Sequence, residues 1–207
     1  MSVTEFTVEE IPRKATVKFI EKHHYSHNVN GVQSLYHFGL YREGNFGLPT
    51  MIGAMMYAHP SMPATAAKYN PINHDKCLEL RRLVCIDDTP TNTESYFIGK
   101  TLRWLKQNTD MEVIVSFADQ HYGHSGVIYK ASNFECLGET VGSRVLMVDG
   151  EEMHSRSMNQ IHRPYSREIK RRYDSGDEKI FWKKRKPKYI YVYYLNKKIK
   201  RLIKRLD

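Results

Sequence analysis

Cysteine is scarce in this chain of 207 residues: only Cys77, Cys85 and Cys136, with no paired spacing. So small and odd a set excludes a disulfide-stapled scaffold and fits a reducing compartment. The missing Cys-x-x-Cys spacing excludes a zinc finger or ribbon. No run approaches the roughly 20 continuous apolar residues that cross a bilayer, so no membrane partner is expected. The opening MSVTEFTVEEIPRK has no basic leader followed by an apolar stretch, so no secretory signal is read there. No internal repeat or low-complexity linker is visible. These absences point to a soluble, cytoplasmic protein. Its length suits a single domain over residues 1–207 with a core large enough to need no staple.

Acidic residues are few where basic ones are many. The net charge is +9, yet residues 163–207 hold 17 Lys and Arg against 5 Asp and Glu, while residues 1–162 hold 15 against 18. All the excess positive charge therefore lies in the last fifth of the chain. Tyr165, Tyr173, Phe181, Trp182 and Tyr189 are interleaved with it. A solvated terminal face would keep the protein soluble. A block this strongly charged more readily implies an acidic partner, nucleic acid above all. Its candidate phosphate contacts are Arg163, Arg167, Lys170, Arg171, Arg172, Lys183, Lys184 and Arg185, followed by Lys186.

Hydrophobic period and turn residues give a mixed order of elements. Residues 2–9 alternate loosely as an edge strand. Pro12 suits the first turn of a helix over 13–24, with Ala15, Phe19 and Ile20 on one face. Strands follow at 35–42 and 50–58, turned at Glu43, Gly44 and Asn45, with Gly53 marking a bulge or a close approach. Residues 59–76, rich in Pro, Asn and Ala, read as a long loop. A strand at 79–86 is stopped by Asp87, Asp88 and Pro90. A helix over 94–107 is capped near Thr91 to Thr93 and turns Phe97, Leu102 and Leu105 inward. Residues 143–149 and 152–157 form a hairpin about Asp149 and Gly150. A basic insertion occupies about 163–187. A final strand, 188–195, precedes an amphipathic helix, 197–206, with Ile199, Leu202, Ile203 and Leu206 on its apolar face. This order is α+β, neither βαβ-repetitive nor all-β. The aromatic strand 188–195 is either a sheet interior or the edge of a homodimer.

Two segments concentrate reactive side chains. After the β-branched run Val113 to Val115 come Ser116, Asp119, His121, Tyr122, His124 and Ser125, then Tyr129 and Lys130, with Asn133 turning the chain into Phe134 to Leu137. Proton-handling groups at the carboxyl end of a strand are where open α/β sheets place their sites; a bonded strand-to-helix connection is the alternative. The second segment is His23-His24-Tyr25-Ser26-His27. His23 and His27 share a face if helix persists, and with His24 they are candidate metal ligands. The competing reading is a helix end where His⁺ favours the negative dipole terminus.

The order of elements resembles the N-acetyltransferase (GNAT) fold, a mostly antiparallel central sheet flanked by helices, here with a basic C-terminal extension. YKASNF (129–134) is similar to that family's Y-x-K-x-G-F ending, with Asn133 in place of the glycine. A narrower resemblance covers nearly the whole chain. FIEKHHYSH (19–27), ELRRLVCIDDTPTNTESYFI (79–98), SFADQHYGHSGVIYKASNF (116–134) and KPKYIYVYYL (186–195) resemble the Mom DNA-modification proteins of bacteriophage Mu and its relatives. That resemblance implies a GNAT-like transferase that converts adenine in double-stranded DNA to N6-carbamoylmethyladenine and so protects DNA from host restriction. It implies that His24-Tyr25 is needed for activity, with iron as a suggested cofactor. Ordinary acetyltransferases cradle the coenzyme A pyrophosphate in a glycine-rich loop, but here residues 89–100 carry no glycine before Gly99. An acetyl-CoA-like or other group donor would instead meet a helix N-terminus with Thr91, Asn92, Thr93 and Ser95 as donors.

Within that reading His24 and Asp119 are candidate bases for the poorly nucleophilic N6 amine. Ser116, or backbone N–H groups near the strand splay, would steady charge on the donor's carbonyl oxygen. Tyr129 matches the tyrosine that protonates the leaving group in acetyltransferases, or is a packed aromatic. Glu79 and Arg81 alternate onto one strand face, with Arg82 opposite. A flipped adenine would stack on Tyr36, Tyr41, Phe46, Tyr57 or Tyr122. A plain acyl-CoA-dependent acetyltransferase acting on a small amine or protein, and a non-catalytic DNA-binding module, are the competing readings.

Overall fold

In the computed structural model, residues 2–29, 31–153, 155–160 and 162–206 are described. The elements run β1 (Thr7–Glu10), α1 (Arg13–His23), β2 (Ser34–Glu43), β3 (Pro49–Ala58), α2 (Pro63–Tyr69), β4 (Cys77–Cys85), α3 (Thr93–Asn108) and β5 (Val113–Asp119). Then come α4 (Val127–Ala131), β6 (Glu135–Glu139), β7 (Ser143–Val148), β8 (Glu151–Met153), α5 (Arg156–Asn159) and α6 (Pro164–Asp174). The chain ends with β9 (Ile180–Arg185), β10 (Lys188–Tyr194) and α7 (Lys197–Ile203). The architecture is α+β, and it divides into two compact units: Met1–Phe117 with Gly126–Leu137 and Ile190–Asp207, and Ala118–Ser125 with Gly138–Tyr189.

The larger unit is built on a seven-stranded sheet of order β1-β2-β3-β4-β5-β10-β6. β1 to β4 pair antiparallel, and β4 and β5 pair parallel through the α3 crossover. One face carries Ala54, Met56 and Ala58 against Ile20 of α1. On α3, Phe97, Leu102 and Leu105 are buried as the period predicts, with Ile98 and Thr101 beside them. Each large apolar side chain so buried contributes about 1.5–3 kcal/mol. Thr101 Oγ1 lies 2.7 Å from the Tyr57 hydroxyl, which satisfies a phenol otherwise fully enclosed in the core. The smaller unit has a three-stranded sheet, β8-β7-β9, whose Leu146, Val148 and Ile180 pack on Met158 and Ile169.

The structure departs from the sequence reading in several places. Helix α2 lies inside the expected loop; Pro63 at its first turn and the Ala pair behind it favour helix. On α1 the inward face is Thr16 and Ile20, with Ala15 exposed. On α7 only Ile199 and Ile203, four apart on one face, are buried; Leu202 is exposed beside them, and Leu206 lies beyond the helix end at Ile203. Residues 2–9 begin with a 3-10 turn, Val3–Glu5, before β1, which is the sheet edge. The 143–157 hairpin turns at Asp149 and Gly150, both at positive φ, but its second arm stops at Met153 and His154 lies outside the described residues. Gly53 is a close approach: an added Cβ would stand 3.0 Å from Cys85 Sγ and 3.2 Å from the Val84 carbonyl.

Candidate active site

The site begins where two parallel strands separate. The β4–β5 register runs only from Cys77–Val113 to Glu79–Val115. At the next step Ser116 Oγ donates to the Leu80 carbonyl at 3.2 Å, a side chain taking the place of a ladder N–H. Ser116 is fully buried. Its hydroxyl proton is used on Leu80, and the Tyr129 phenol lies beside its oxygen. Burial pushes the Tyr129 phenol up to about 12, with Tyr25, Glu79 and Tyr191 acting in the same sense and Ser116 against them. The phenol therefore keeps its proton throughout the neutral range.

Tyr129 is held by aromatic neighbours. Its ring stacks on Tyr191 at 5.1 Å and meets Phe134 at 5.5 Å. Gly126, at φ +76, begins α4 with its Cα facing the Tyr191 ring, so closely that any Cβ would run into it. Asn133 holds φ +62 at the turn into β6, the left-handed conformation expected from its place in YKASNF.

On β4 a bulge changes which side chains face this region. Met56 pairs with Arg82 but Tyr57 with Leu80, so Arg81 is the extra residue. Arg82, expected on the opposite face from Glu79, is thereby brought to the same side. Glu79 is gripped by Arg81, whose Nη1 reaches both carboxylate oxygens at 2.9 Å. Burial draws the Arg82 guanidinium below its ordinary value, opposed by the nearby Tyr25 and Glu79. Tyr25 is half-exposed and stacks on His24 at 4.1 Å. His24 is buried, its Nδ1 accepting the Ser26 N–H at 3.1 Å and lying 2.8 Å from Ser26 Oγ. In the neutral ring that places the proton on Nε2. Tyr25, Ser116 and Tyr129, with His24 stacked on Tyr25, thus gather in the larger unit beside Glu79, Arg81 and Arg82.

Asp119 belongs to the smaller unit and has a structural set of partners there. Its carboxylate binds Lys188 Nζ at 3.0 Å and accepts the His121 N–H at 3.0 Å, capping a 3-10 turn, Gln120–Tyr122. Burial alone would raise it, but Lys188, the His121 N–H and Arg185 together hold it below the usual carboxylate range. Such a carboxylate is a weak base. Nearby, Glu152 binds Arg185, with His121 Nε2 at 3.6 Å and Lys183 at 3.9 Å, and Arg185 lies over the Tyr122 ring. The dense polar loop is therefore largely an ion-pair and capping network.

The three histidines do not make a ligand set. Helix α1 ends at His23, His24 caps it, and His27 sits at φ +45 with Nδ1 3.0 Å from the Glu21 carbonyl, so His23 and His27 share no helical face. Among the described residues no three His, Cys, Asp or Glu side chains converge as metal ligands. At the start of α3, Asn92 has φ +73 and makes no side-chain cap. Thr93 Oγ1 donates to the Pro90 carbonyl at 2.6 Å and Ser95 Oγ to the Asn92 carbonyl at 3.0 Å, while Thr91 and Asn92 are exposed. The Thr93 and Ser95 protons are thus used within the turn, and what this end offers an anion is the helix dipole with the exposed Thr91 and Asn92 side chains.

The basic residues separate into two kinds. Arg163, Arg167 and Lys184 are exposed and make no ion pair among the described residues. Lys170 and Arg171 are exposed too, in short helical pairs with Asp174 and Glu168. Arg172 instead joins Asp149 at 2.6 Å to Asp177 at 2.7 Å, tying the hairpin turn to the end of α6. Arg185 is likewise committed to Glu152. Of the suggested stacking aromatics, Tyr57 is enclosed in the core, Tyr36 packs edge-on to Trp104, and Phe46 is fully exposed. Sequence reasoning missed Lys188 as the Asp119 partner, and the Gly126–Tyr191 contact. The only signal for the second was the HSG start of a helical turn.

The comparisons agree with this architecture. The family model described as the Mom protein family matches residues 5–207. The chain is 30% identical over 200 residues to the methylcarbamoylase mom of Escherichia phage Mu, covering 95% of this chain and 78% of that protein. Among solved structures, spermidine N-acetyltransferase from Vibrio cholerae in complex with CoA and spermine aligns with a TM-score of 0.50 at 9% identity, over 93% of this chain and 96% of that one. Ribosomal-protein-S5-alanine acetyltransferase from Vibrio fischeri aligns with a TM-score of 0.50 at 8% identity, over 93% and 94%. Those two likenesses speak to the fold, which is of the acetyltransferase type. With a matching family model and a relative that both span nearly its full length, this chain belongs to the Mom protein family.

Proposed function

We propose that this protein is a DNA-modifying transferase that places a carbamoylmethyl group on the N6 of adenine in double-stranded DNA, shielding that DNA from restriction in a bacterial cytoplasm. The observation that carries the reading is the nearly full-length match to the phage Mu methylcarbamoylase. In the reaction a new bond forms at N6, the donor's bond breaks with its electron pair going to the departing donor, and the amine's proton passes to solvent. A neutral phenol at Tyr129, beside Ser116, can donate a hydrogen bond to charge developing on the departing donor. The Nε2–H of His24 can do the same for a carbonyl oxygen. Tyr25, half-exposed above His24 and beside Arg82, offers a ring on which an extruded adenine stacks. Asp119, anionic and bound to Lys188, holds its loop in shape. The exposed arginines and lysines of α6 and β9 hold phosphates, giving register with little sequence reading.

The test is nucleoside mass spectrometry on plasmid DNA from cells expressing the wild type, His24→Ala or Tyr129→Phe. The expected result is an adenosine adduct of carbamoylmethyl mass in the wild type alone. Unmodified DNA alongside soluble, well-expressed wild type would overturn the reading, and tight coenzyme A binding by that protein would favour a plain acetyltransferase.

A further inference from the structure

The β2–β3 hairpin carries an apolar tip. Phe46 is 101% exposed and Leu48 is 68% exposed. Phe46 also sits at φ +61, ψ +26, a left-handed conformation that is an outlier for a bulky side chain. The turn is firmly built around it. The Gly44 N–H donates to the Leu48 carbonyl at 2.9 Å, and a Cβ on Gly44 would stand 2.6 Å from that oxygen. At the base, Arg42 binds the Asp88 carbonyl at 3.0 Å and its carboxylate at 3.1 Å, bracing the hairpin against the loop before α3. A braced loop that holds a strained aromatic wholly in water gains nothing from it within the monomer.

The register places this tip. β3 runs antiparallel to β4, with Gly53 opposite Cys85, so the tip stands beyond the carboxyl end of β4. β5 is parallel to β4 and diverges from it after Val115. The tip therefore projects from the same end of the sheet as Ser116. The proposed substrate adds the need. An adenine inside a duplex must leave the stack before its N6 can enter an enzyme, and the vacated space is apolar above and below. Aromatic and aliphatic side chains are what proteins insert between base steps.

Resting on the DNA-modification reading above, we infer that Phe46, with Leu48 beside it, is a wedge that enters the base stack of duplex DNA and holds the gap left by the extruded adenine. It is a positioning residue, because it touches the stack and not the reacting nitrogen.

The test compares wild type, Phe46→Ala and Phe46→Trp. Phe46 is wholly exposed in the folded chain, so the substitutions leave folding intact, which thermal unfolding checks. Two readouts are used: adduct in plasmid DNA from expressing cells, and fluorescence of duplexes with 2-aminopurine at successive adenine positions, either paired with thymine or inside a pre-opened bubble. Phe46→Ala should lower the adduct by about tenfold or more and abolish the fluorescence rise in paired duplex, while matching the wild type on the bubble. Phe46→Trp should restore both. Wild-type adduct from Phe46→Ala overturns the wedge, as does a loss that is equal on paired and bubble DNA. So does a loss of self-association, read by sedimentation, with DNA behaviour unchanged; the tip would then be a contact between copies. A wild type that neither marks nor binds DNA removes the DNA-modification reading itself, and the wedge with it.

Discussion

At the scale of single residues, two proton-bearing groups of the segment after β5, Asp119 and Tyr129, are driven in opposite directions by their surroundings. Tyr129 has burial without a counter-charge, so its proton is held to about 12. Asp119 has burial too, but Lys188 at 3.0 Å, the His121 N–H and Arg185 together outweigh it and keep the carboxylate ionised. Only the first is fitted to give a hydrogen bond to developing negative charge. Removing the Tyr129 hydroxyl as Phe should therefore lower adduct formation by about 10²–10⁴-fold while costing only about 0.5–1.5 kcal/mol of stability, because Ser116 keeps its bond to Leu80. Parallel measurement of adduct level and denaturant midpoint separates the two. A stability loss large enough to account for the missing adduct would make Tyr129 a packed aromatic. Tyr129 was legible in the sequence because YKASNF fixes its place after the strand. The restraint on Asp119 was not, because Lys188 is distant in the chain and no local pattern announces an ion pair.

Elements are legible where one local rule governs them. The 3.6 period of α3 gave its buried face, and Asp149-Gly150 gave a hairpin turn with both residues at positive φ. Local rules failed where a register shift decides, as at the β4 bulge that turns Arg82 toward Glu79, while at α2 the local helix signal of Pro63 and the Ala pair was hidden by the loop-like composition around it. The start of α4 is the sharpest case, because a glycine there answers to a ring contributed by β10. Gly126→Ala forces a Cβ into the fully buried Tyr191 and keeps φ positive. The expected cost is about 2–4 kcal/mol, the sum of a left-handed penalty and overpacking. Gly123→Ala is the control: φ is +77 there, yet nothing lies within 4 Å of the added carbon, so only the backbone penalty of about 1–2 kcal/mol applies. Urea unfolding of both variants at unchanged slope reads the difference. Equal midpoints would mean that Tyr191 yields to the methyl and that the Tyr129–Tyr191 stack is not tightly held.

For the whole molecule the governing quantity is charge, and its sum misleads without the structure. The last 45 residues carry the entire positive excess, yet Arg172 and Arg185 are bound to carboxylates within their own unit. Composition could locate the basic block, but it could not sort solvated cations from those holding the hairpin turn and the sheet. That sorting gives two separable outcomes for duplex DNA binding measured across a salt series. Each phosphate neutralised by a cation adds about 0.9 to the slope of log affinity against log salt. Replacing Arg163, Arg167 and Lys184 by Ala should weaken binding, reduce the slope by roughly 0.9 for every phosphate no longer held, and leave thermal unfolding unchanged. Arg172→Ala should instead lower the unfolding temperature, because Asp149 and Asp177 then face each other without their shared cation. A triple variant with the wild-type slope would show that these three cations hold no phosphate. The phosphates would then have to be held by basic residues outside this set, such as Lys197, Lys198 and Arg201 on α7, which the same salt series can address one substitution at a time.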